Sequence, residues 1–105
     1  APALSVARQL LDEGADVVGY DPQAASNAKA EVPDLAIASD PYEAIQGAHC
    51  LVLATEWDEF RSLDLERVRD ALAYPVVIDG RNFFDREKMA SLGFTYYPTG
   101  RPSLP

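Results

Sequence analysis

The sequence contains one cysteine, Cys50, and one histidine, His49, in 105 residues. A single cysteine excludes a disulfide framework within the chain and favours a reducing, cytoplasmic setting. Cys50 lies inside the apolar run AHCLVLA, which predicts a small buried core residue. His49 has no second metal-type ligand near it and is interpreted as a structural or surface residue. Because no metal-ligand spacing and no Ser-His-Asp set occur, the sequence predicts no metal site and no catalytic centre of those types.

Basic residues are scarce as well, since nine lysines and arginines stand against 17 aspartates and glutamates, a formal net charge of −8. Binding to a nucleic-acid backbone needs a basic stripe that releases counterions, so no nucleic-acid partner is predicted. The apolar runs are too short to cross a bilayer, and the chain does not open with a signal-peptide pattern. No membrane association is therefore predicted.

Helical and strand patterns alternate along the chain. Five short segments, DVVGY, LAIAS, CLVLAT, VVID and FTYY, are apolar on both faces, and a helical pattern precedes each of them. Strands of this kind, separated by helices, indicate a mostly parallel sheet with helices on both faces. The sequence therefore predicts a three-layer, doubly wound α/β domain of Rossmann-like type over residues 1–97, followed by a tail, residues 98–105.

Aspartates mark the predicted helix starts. Asp40 precedes Pro41 and has Glu43 at the capping-box spacing, and Asp85 precedes a short helical pattern. Asp21 also precedes a proline, so it is interpreted first as an N-cap. The alternative is a ribose contact at the end of a Rossmann strand. That role needs a glycine-rich turn about 20 residues earlier, which the sequence lacks.

Ligands of doubly wound sheets bind at the carboxyl ends of the strands, which here include the residues after LVLA. Thr55, Glu56, Trp57 and Asp58 follow that strand. Polar residues at such a position can contact a ligand, and Trp57 can stack on a base. The favoured interpretation is structural, with Trp57 packing its loop against the sheet.

The segment VVIDGRNFFD, residues 76–85, ends another strand with Asp79, Gly80 and Arg81. An arginine just past a parallel strand suits a phosphate or ribose contact, and Gly80 lets a ligand approach the backbone. The alternative is an ion pair of Arg81 with Asp79 or Asp85 that closes the turn. A phosphoacceptor receiver site is a weaker alternative, because it needs clustered acidic residues and a lysine at the position of Arg81. The residues alone leave the contact and the ion pair equally open.

Four segments together resemble one known family. SVARQLLDEGADVVGYDP, DPYEAIQGAHCLVLATEWDEFRSLDLERV, VVIDGRNFFD and GFTYYPTGRP are similar, in order and without large gaps, to the C-terminal domain of the UDP-glucose/GDP-mannose dehydrogenases. The resemblance implies an NAD-dependent enzyme that oxidises the C6 alcohol of a nucleotide sugar twice, to the uronic acid. It also implies an N-terminal NAD-binding domain, a central dimerisation region and a C-terminal domain that helps to bind the nucleotide of the substrate.

The resemblance implies roles for few residues of this chain. Arg81 matches the arginine that reaches the nucleotide part of the substrate, across a subunit interface in dimeric members. Asp79, Gly80 and Asn82 are expected to form the turn that supports it. The catalytic cysteine of the family lies in a glycine-rich motif that this chain lacks, so Cys50 is not its equivalent. No catalytic residue is therefore expected here.

The function implied by the resemblance is that of a UDP-sugar-binding domain, inactive alone. The complete enzyme is expected to be a homo-oligomer that oxidises UDP-glucose to UDP-glucuronate, with NAD bound mainly by the N-terminal domain. The alternative is a non-catalytic α/β interaction or oligomerisation module.

The start of the chain departs from the family. Pro2 suits a first helical position, but only Ala1 precedes it, and alanine is a poor N-cap. In the family this domain opens with a further strand, which would lie in the centre of the sheet between DVVGY and CLVLAT. The hypothesis is that this strand is missing from the sequence, contributed by another copy or replaced by a rearranged pairing. Bare central edges would favour aggregation or strand exchange.

Overall fold

The structure is a computed structural model that describes residues 2–21, 28, 30–54 and 58–98. Helices and strands alternate in it, and every described strand pair is parallel, which confirms the predicted α/β class. The elements are α1 (Pro2–Asp12), β1 (Val18–Gly19), β2 (Ala36–Ile37), α2 (Pro41–Ile45), β3 (Leu51–Leu53), a 3-10 helix (Asp58–Ser62), α3 (Leu65–Ala71), β4 (Val76–Asp79), α4 (Arg86–Ser91) and β5 (Thr95–Pro98). Residues 28, 30 and 31 are also helical. Across the described helices, none combines the length and the apolar character that a membrane span requires.

The chain forms two compact units, Ala1–Ala44 and Ile45–Pro105. In the first unit β1 and β2 pair in parallel, with Gly19 opposite Ile37. A Cβ atom at Gly19 would lie 3.3 Å from the Ile37 side chain, so glycine makes room for this packing. Among the described residues of the unit, the buried apolar ones are Ala28, Val32, Leu35 and Ala38.

An arginine on α1 provides the main polar link within the first unit. Two guanidinium nitrogens of Arg8 donate to the two carboxylate oxygens of Asp34 at 2.7 and 2.9 Å, and its Nε donates to Asp12 at 3.1 Å. Hydrogen bonding to Asp34, and then to Asp12, raises the pKa of Arg8 above its ordinary value. All three side chains are at least two-fifths exposed, so this is a surface arrangement.

The second unit contains a three-stranded parallel sheet in the order β3-β4-β5. Leu53, Asp79 and Pro98 are in register, so the carboxyl ends of the three strands lie side by side. On one face of the sheet Val77 is fully buried, and Val68 of α3 and Met89 of α4 are buried as well. On the opposite face Val52, Ile78 and Tyr97 form a cross-strand row in which Val52 is 39% and Tyr97 56% exposed.

The predicted helix caps are present where the structure describes them. The backbone N–H of Glu43 donates to Asp40 at 3.0 Å, and that of Lys88 donates to Asp85 at 3.0 Å. Both caps are confirmed. The corresponding prediction for Asp21 concerns a helix start that lies outside the described residues.

The described strands form two sheets, of two and three strands. Within the described residues β1 pairs only with β2, and β3 only with β4, so each has one edge without a described partner strand. The domain boundary near residue 97 and the fate of the missing strand stay predictions.

Candidate functional site

The turn after β4 contains the most deeply buried charged side chain of the described residues. Asp79, the last residue of β4, has 0% exposure, and Asp79 is the only polar or charged residue in the buried set of the part that the structure describes. A buried carboxylate needs hydrogen-bond donors to offset its lost hydration. The donors around Asp79 therefore define the structure of the turn.

Four donors converge on the Asp79 carboxylate. Oδ1 accepts from the backbone N–H of Arg81 at 2.9 Å. Oδ2 accepts from the backbone N–H groups of Phe83 at 2.7 Å and Phe84 at 2.9 Å. The hydroxyl oxygen of Tyr96 lies 2.5 Å from the same Oδ2, and 3.0 Å from the carbonyl oxygen of Phe84. Since a carboxylate offers about four acceptor positions, these donors are enough to satisfy it.

Gly80 and Asn82 give the turn the backbone shape that these bonds require. The N–H of Gly80 donates to the carbonyl of Leu53 at 2.8 Å. A Cβ atom at Gly80 would lie 3.1 Å from that same oxygen, so a larger residue would push the turn and β3 apart by a few tenths of an ångström. Asn82 has a φ of 55°, in the left-handed region that asparagine tolerates better than most residues.

Arg81 lies between these two residues, on the exposed side of the turn. Its backbone N–H is held by Asp79, while its side chain is exposed at the carboxyl end of β4. Backbone donors and the Tyr96 hydroxyl around the Asp79 carboxylate therefore hold the turn, and the ion pair of Arg81 with Asp79 or Asp85 stays a prediction. A guanidinium presented on such a fixed backbone can form paired hydrogen bonds with a phosphate or carboxylate group.

Aromatic residues next to the turn form a cluster that the sequence reasoning missed. The Phe83 ring meets Phe60 and Phe84 edge-on, with centroids 6.5 and 5.2 Å away. The guanidinium carbon of Arg61 lies 4.8 Å from the centre of the Phe83 ring, which is a cation–π contact. The signal in the sequence was the pair Phe60-Arg61, which lies in the segment after β3, within the 3-10 helix.

The other predicted candidates are only partly described by the structure. Thr55, Glu56 and Trp57 lie outside the described residues, and Asp58 begins the 3-10 helix. Asp21 is half-buried, but the residues that follow it are not described. Among the described residues no group of three or more His, Cys, Asp and Glu side chains is placed to hold a metal ion.

Cys50 and His49 have structural surroundings. Cys50 is half-buried, less than the sequence predicted, and burial raises the pKa of its thiol. His49 is exposed and meets the Tyr74 ring edge-on at 5.5 Å, as expected of a structural or surface histidine. Neither residue lies in the turn after β4.

A protein-family model described as "UDP-glucose/GDP-mannose dehydrogenase family, UDP binding domain" matches residues 1–86. The chain is 43% identical over 102 residues to a UDP-glucose 6-dehydrogenase of Rhizobium meliloti, an alignment that covers 97% of this chain and 23% of that protein. It is 39% identical over 108 residues to a UDP-glucose 6-dehydrogenase of Pseudomonas aeruginosa, covering 97% of this chain and 24% of that protein. The chain thus spans about a quarter of the length of these relatives.

A solved structure supports the fold. A UDP-D-ManNAc dehydrogenase from Pyrococcus horikoshii aligns with 93% of this chain and 31% of its own at a TM-score of 0.58 and 18% identity. At that identity the likeness concerns the fold alone. It agrees with the predicted Rossmann-like α/β architecture.

Proposed function

The chain belongs to the UDP-glucose/GDP-mannose dehydrogenase family, as its UDP-binding domain, and on that basis we propose that it binds the UDP moiety of UDP-glucose for an NAD-dependent UDP-glucose 6-dehydrogenase. The complete enzyme would oxidise UDP-glucose to UDP-glucuronate. In this proposal the chain contributes a substrate contact, and the catalytic residues lie in other domains.

The observation behind the proposal is the placement of Arg81. Its backbone is fixed by the Asp79 carboxylate at 2.9 Å, and its side chain is exposed at the strand end where ligands of such sheets bind. The chain has a net charge of −8, so a UDP-sugar needs local cations to approach it. A guanidinium suits this task because it forms bidentate hydrogen bonds with phosphate oxygens.

NAD is proposed to bind mainly outside this chain. The sequence has no glycine-rich phosphate loop of the dinucleotide-binding type. We therefore place NAD on another domain of the complete enzyme, which would supply the hydride acceptor. A cytoplasmic homo-oligomer is proposed for that enzyme, and its support is family membership and the single cysteine.

A second candidate function is a non-catalytic interaction module. The exposed row of Val52 and Tyr97 on one face of the β3-β4-β5 sheet favours it, because apolar surface of this kind often mediates association. The two candidates differ in what they predict for Arg81.

The test is to titrate UDP into the full-length polypeptide that carries this domain and into its Arg81→Ala variant. Loss of one charge-assisted contact should weaken binding by about 1.5–3 kcal/mol, which is roughly tenfold to a hundredfold in Kd. Arg8→Ala is the matched control, since it removes the same charge from α1 and should leave UDP affinity unchanged. Unchanged affinity in Arg81→Ala would rule out the binding role and favour the interaction module.

A further inference from the structure

One of the donors to Asp79, the Tyr96 hydroxyl, lies outside the turn, on β5. Tyr96 lies on β5, opposite Val77 of β4, and therefore on the same face of the sheet as Asp79. Its side chain is half-buried, whereas the neighbouring Tyr97 points to the opposite face and is 56% exposed. The Tyr96 hydroxyl thus reaches the turn from β5, through Asp79 and the carbonyl of Phe84.

We propose that Tyr96, acting through Asp79, is a positioning residue for Arg81 in nucleotide binding. The inference rests on the proposed contact between Arg81 and UDP. It assigns a role in that contact to a hydroxyl on a different strand, with no contact between Tyr96 and the substrate.

The geometry supports the proposal in two ways. The Tyr96 hydroxyl oxygen lies 2.5 Å from Asp79 Oδ2, the oxygen that also accepts from Phe83 and Phe84. It lies 3.0 Å from the carbonyl oxygen of Phe84, so the same group contacts both the carboxylate and the far end of the turn. Fixing the plane of the carboxylate fixes Oδ1 as well, and Oδ1 holds the backbone N–H of Arg81.

Removal of the hydroxyl should therefore loosen the turn without removing any substrate contact. Residues 81–84 would sample more arrangements, and binding would have to restrict them again, which weakens affinity. The chemical step uses residues of other domains, so kcat should not change. A purely structural role for Tyr96 would lower the unfolding temperature but would not depend on whether Arg81 is present.

The experiment uses the full-length polypeptide and compares Tyr96→Phe, Arg81→Ala and the double variant. Tyr96→Phe keeps the ring and removes only the hydroxyl, and Tyr97→Phe is the matched control on the same strand. Kd for UDP, KM and kcat for UDP-glucose, and the unfolding temperature are measured for each. Asp79→Asn is a second variant that alters the same link and is expected to act in the same direction.

We expect Tyr96→Phe to raise Kd for UDP and KM roughly three- to tenfold, with kcat within a factor of about two. Tyr97→Phe should match the wild type. In the Arg81→Ala background, Tyr96→Phe should have no further effect on Kd, because the residue it positions is gone.

Three results would overturn the inference. If Arg81→Ala weakens binding but Tyr96→Phe and Asp79→Asn do not, the positioning role is wrong and the proposed function stands. If Tyr96→Phe weakens binding equally with and without Arg81, Tyr96 acts by another route. If Arg81→Ala itself leaves Kd unchanged, the proposed function fails, and this inference fails with it.

Discussion

Asp34 and Asp79 each accept hydrogen bonds from more than one donor, yet their surroundings have little in common. Asp34 accepts two short bonds from the guanidinium of Arg8, and the Asp34 and Arg8 side chains are 58% and 41% exposed. Asp79 is fully buried and takes its bonds from three backbone N–H groups and one tyrosine hydroxyl. The first is a surface ion pair within the first unit, and the second is a buried network within the other.

The difference shows that hydrogen-bond length alone does not tell how much each aspartate contributes to the stability of the fold. Exposed ion pairs lose most of their Coulomb attraction to water and salt, and they also cost side-chain entropy. Because Asp79 is buried, water has little access to the N–H groups that donate to it. Loss of the carboxylate would therefore leave these donors without a hydrogen-bond acceptor. We therefore expect the stability of the fold to depend far more on Asp79 than on Asp34 and Arg8.

The largest effect should follow removal of the buried carboxylate. Asp79→Ala leaves three backbone N–H groups without their acceptor, while the Tyr96 hydroxyl keeps the Phe84 carbonyl, and should lower the free energy of unfolding by about 3 kcal/mol or more. Urea denaturation of the 105-residue chain, followed by far-UV circular dichroism, measures it. Asp70→Ala is the control, because Asp70 is 75% exposed and contacts Arg69 only at 3.4 Å. Similar unfolding midpoints for the two variants would contradict the comparison.

A smaller effect is expected at the surface pair. Arg8→Ala removes the bonds to Asp34 and Asp12, and its loss of stability should be slight at low ionic strength and should vanish as salt is raised towards 1 M. The raised pKa of Arg8 does not change this expectation, because the guanidinium is charged in the folded and the unfolded chain alike over the accessible pH range. Urea midpoints of wild type and variant at several sodium chloride concentrations measure the effect. A large loss that persists in high salt would show that the pair is more than a surface contact.

The smallest effect concerns Cys50, which is less buried than Asp79 and more buried than Asp34. Burial raises the pKa of the folded thiol above that of the unfolded chain, so the unfolded chain releases its proton first. Stability should therefore be unaffected at neutral pH and should fall slightly as pH rises above about 9. Cys50→Ala should remove that slope while leaving UDP affinity of the full-length protein unchanged. An equal fall in the variant would assign the slope to other groups.

Much of the turn after β4 could be predicted from the sequence. A β-branched strand followed by Asp79, Gly80 and Asn82 is a turn signal, and the strand pattern placed Arg81 just after the carboxyl end of β4, where the structure has it. The bonds from Asp79 could not be predicted in the same way. They depend on the side-chain direction of Asp79 and on the register between β4 and β5, which brings Tyr96 to the carboxylate.

The strands show the same limit. DVVGY predicted a strand of about five residues by its β-branched and apolar composition, whereas β1 comprises only Val18–Gly19. Strand length depends on the neighbours available for pairing, and β1 pairs with β2 over two residues in the described structure. The caps at Asp40 and Asp85 were predictable because a cap needs only residues three positions apart.

The hydrogen bond between Tyr96 and Asp79 bears on the order in which the bonds of the turn form during folding. The three backbone donors lie two, four and five residues after Asp79, so they can bind as soon as the segment bends. Tyr96 lies 17 residues away and arrives only when β5 pairs with β4. The family match ends at residue 86, ahead of this tyrosine. A polypeptide shortened to residues 1–86 would keep the backbone hydrogen bonds within the turn. It would lose the hydrogen bond from the Tyr96 hydroxyl to Asp79.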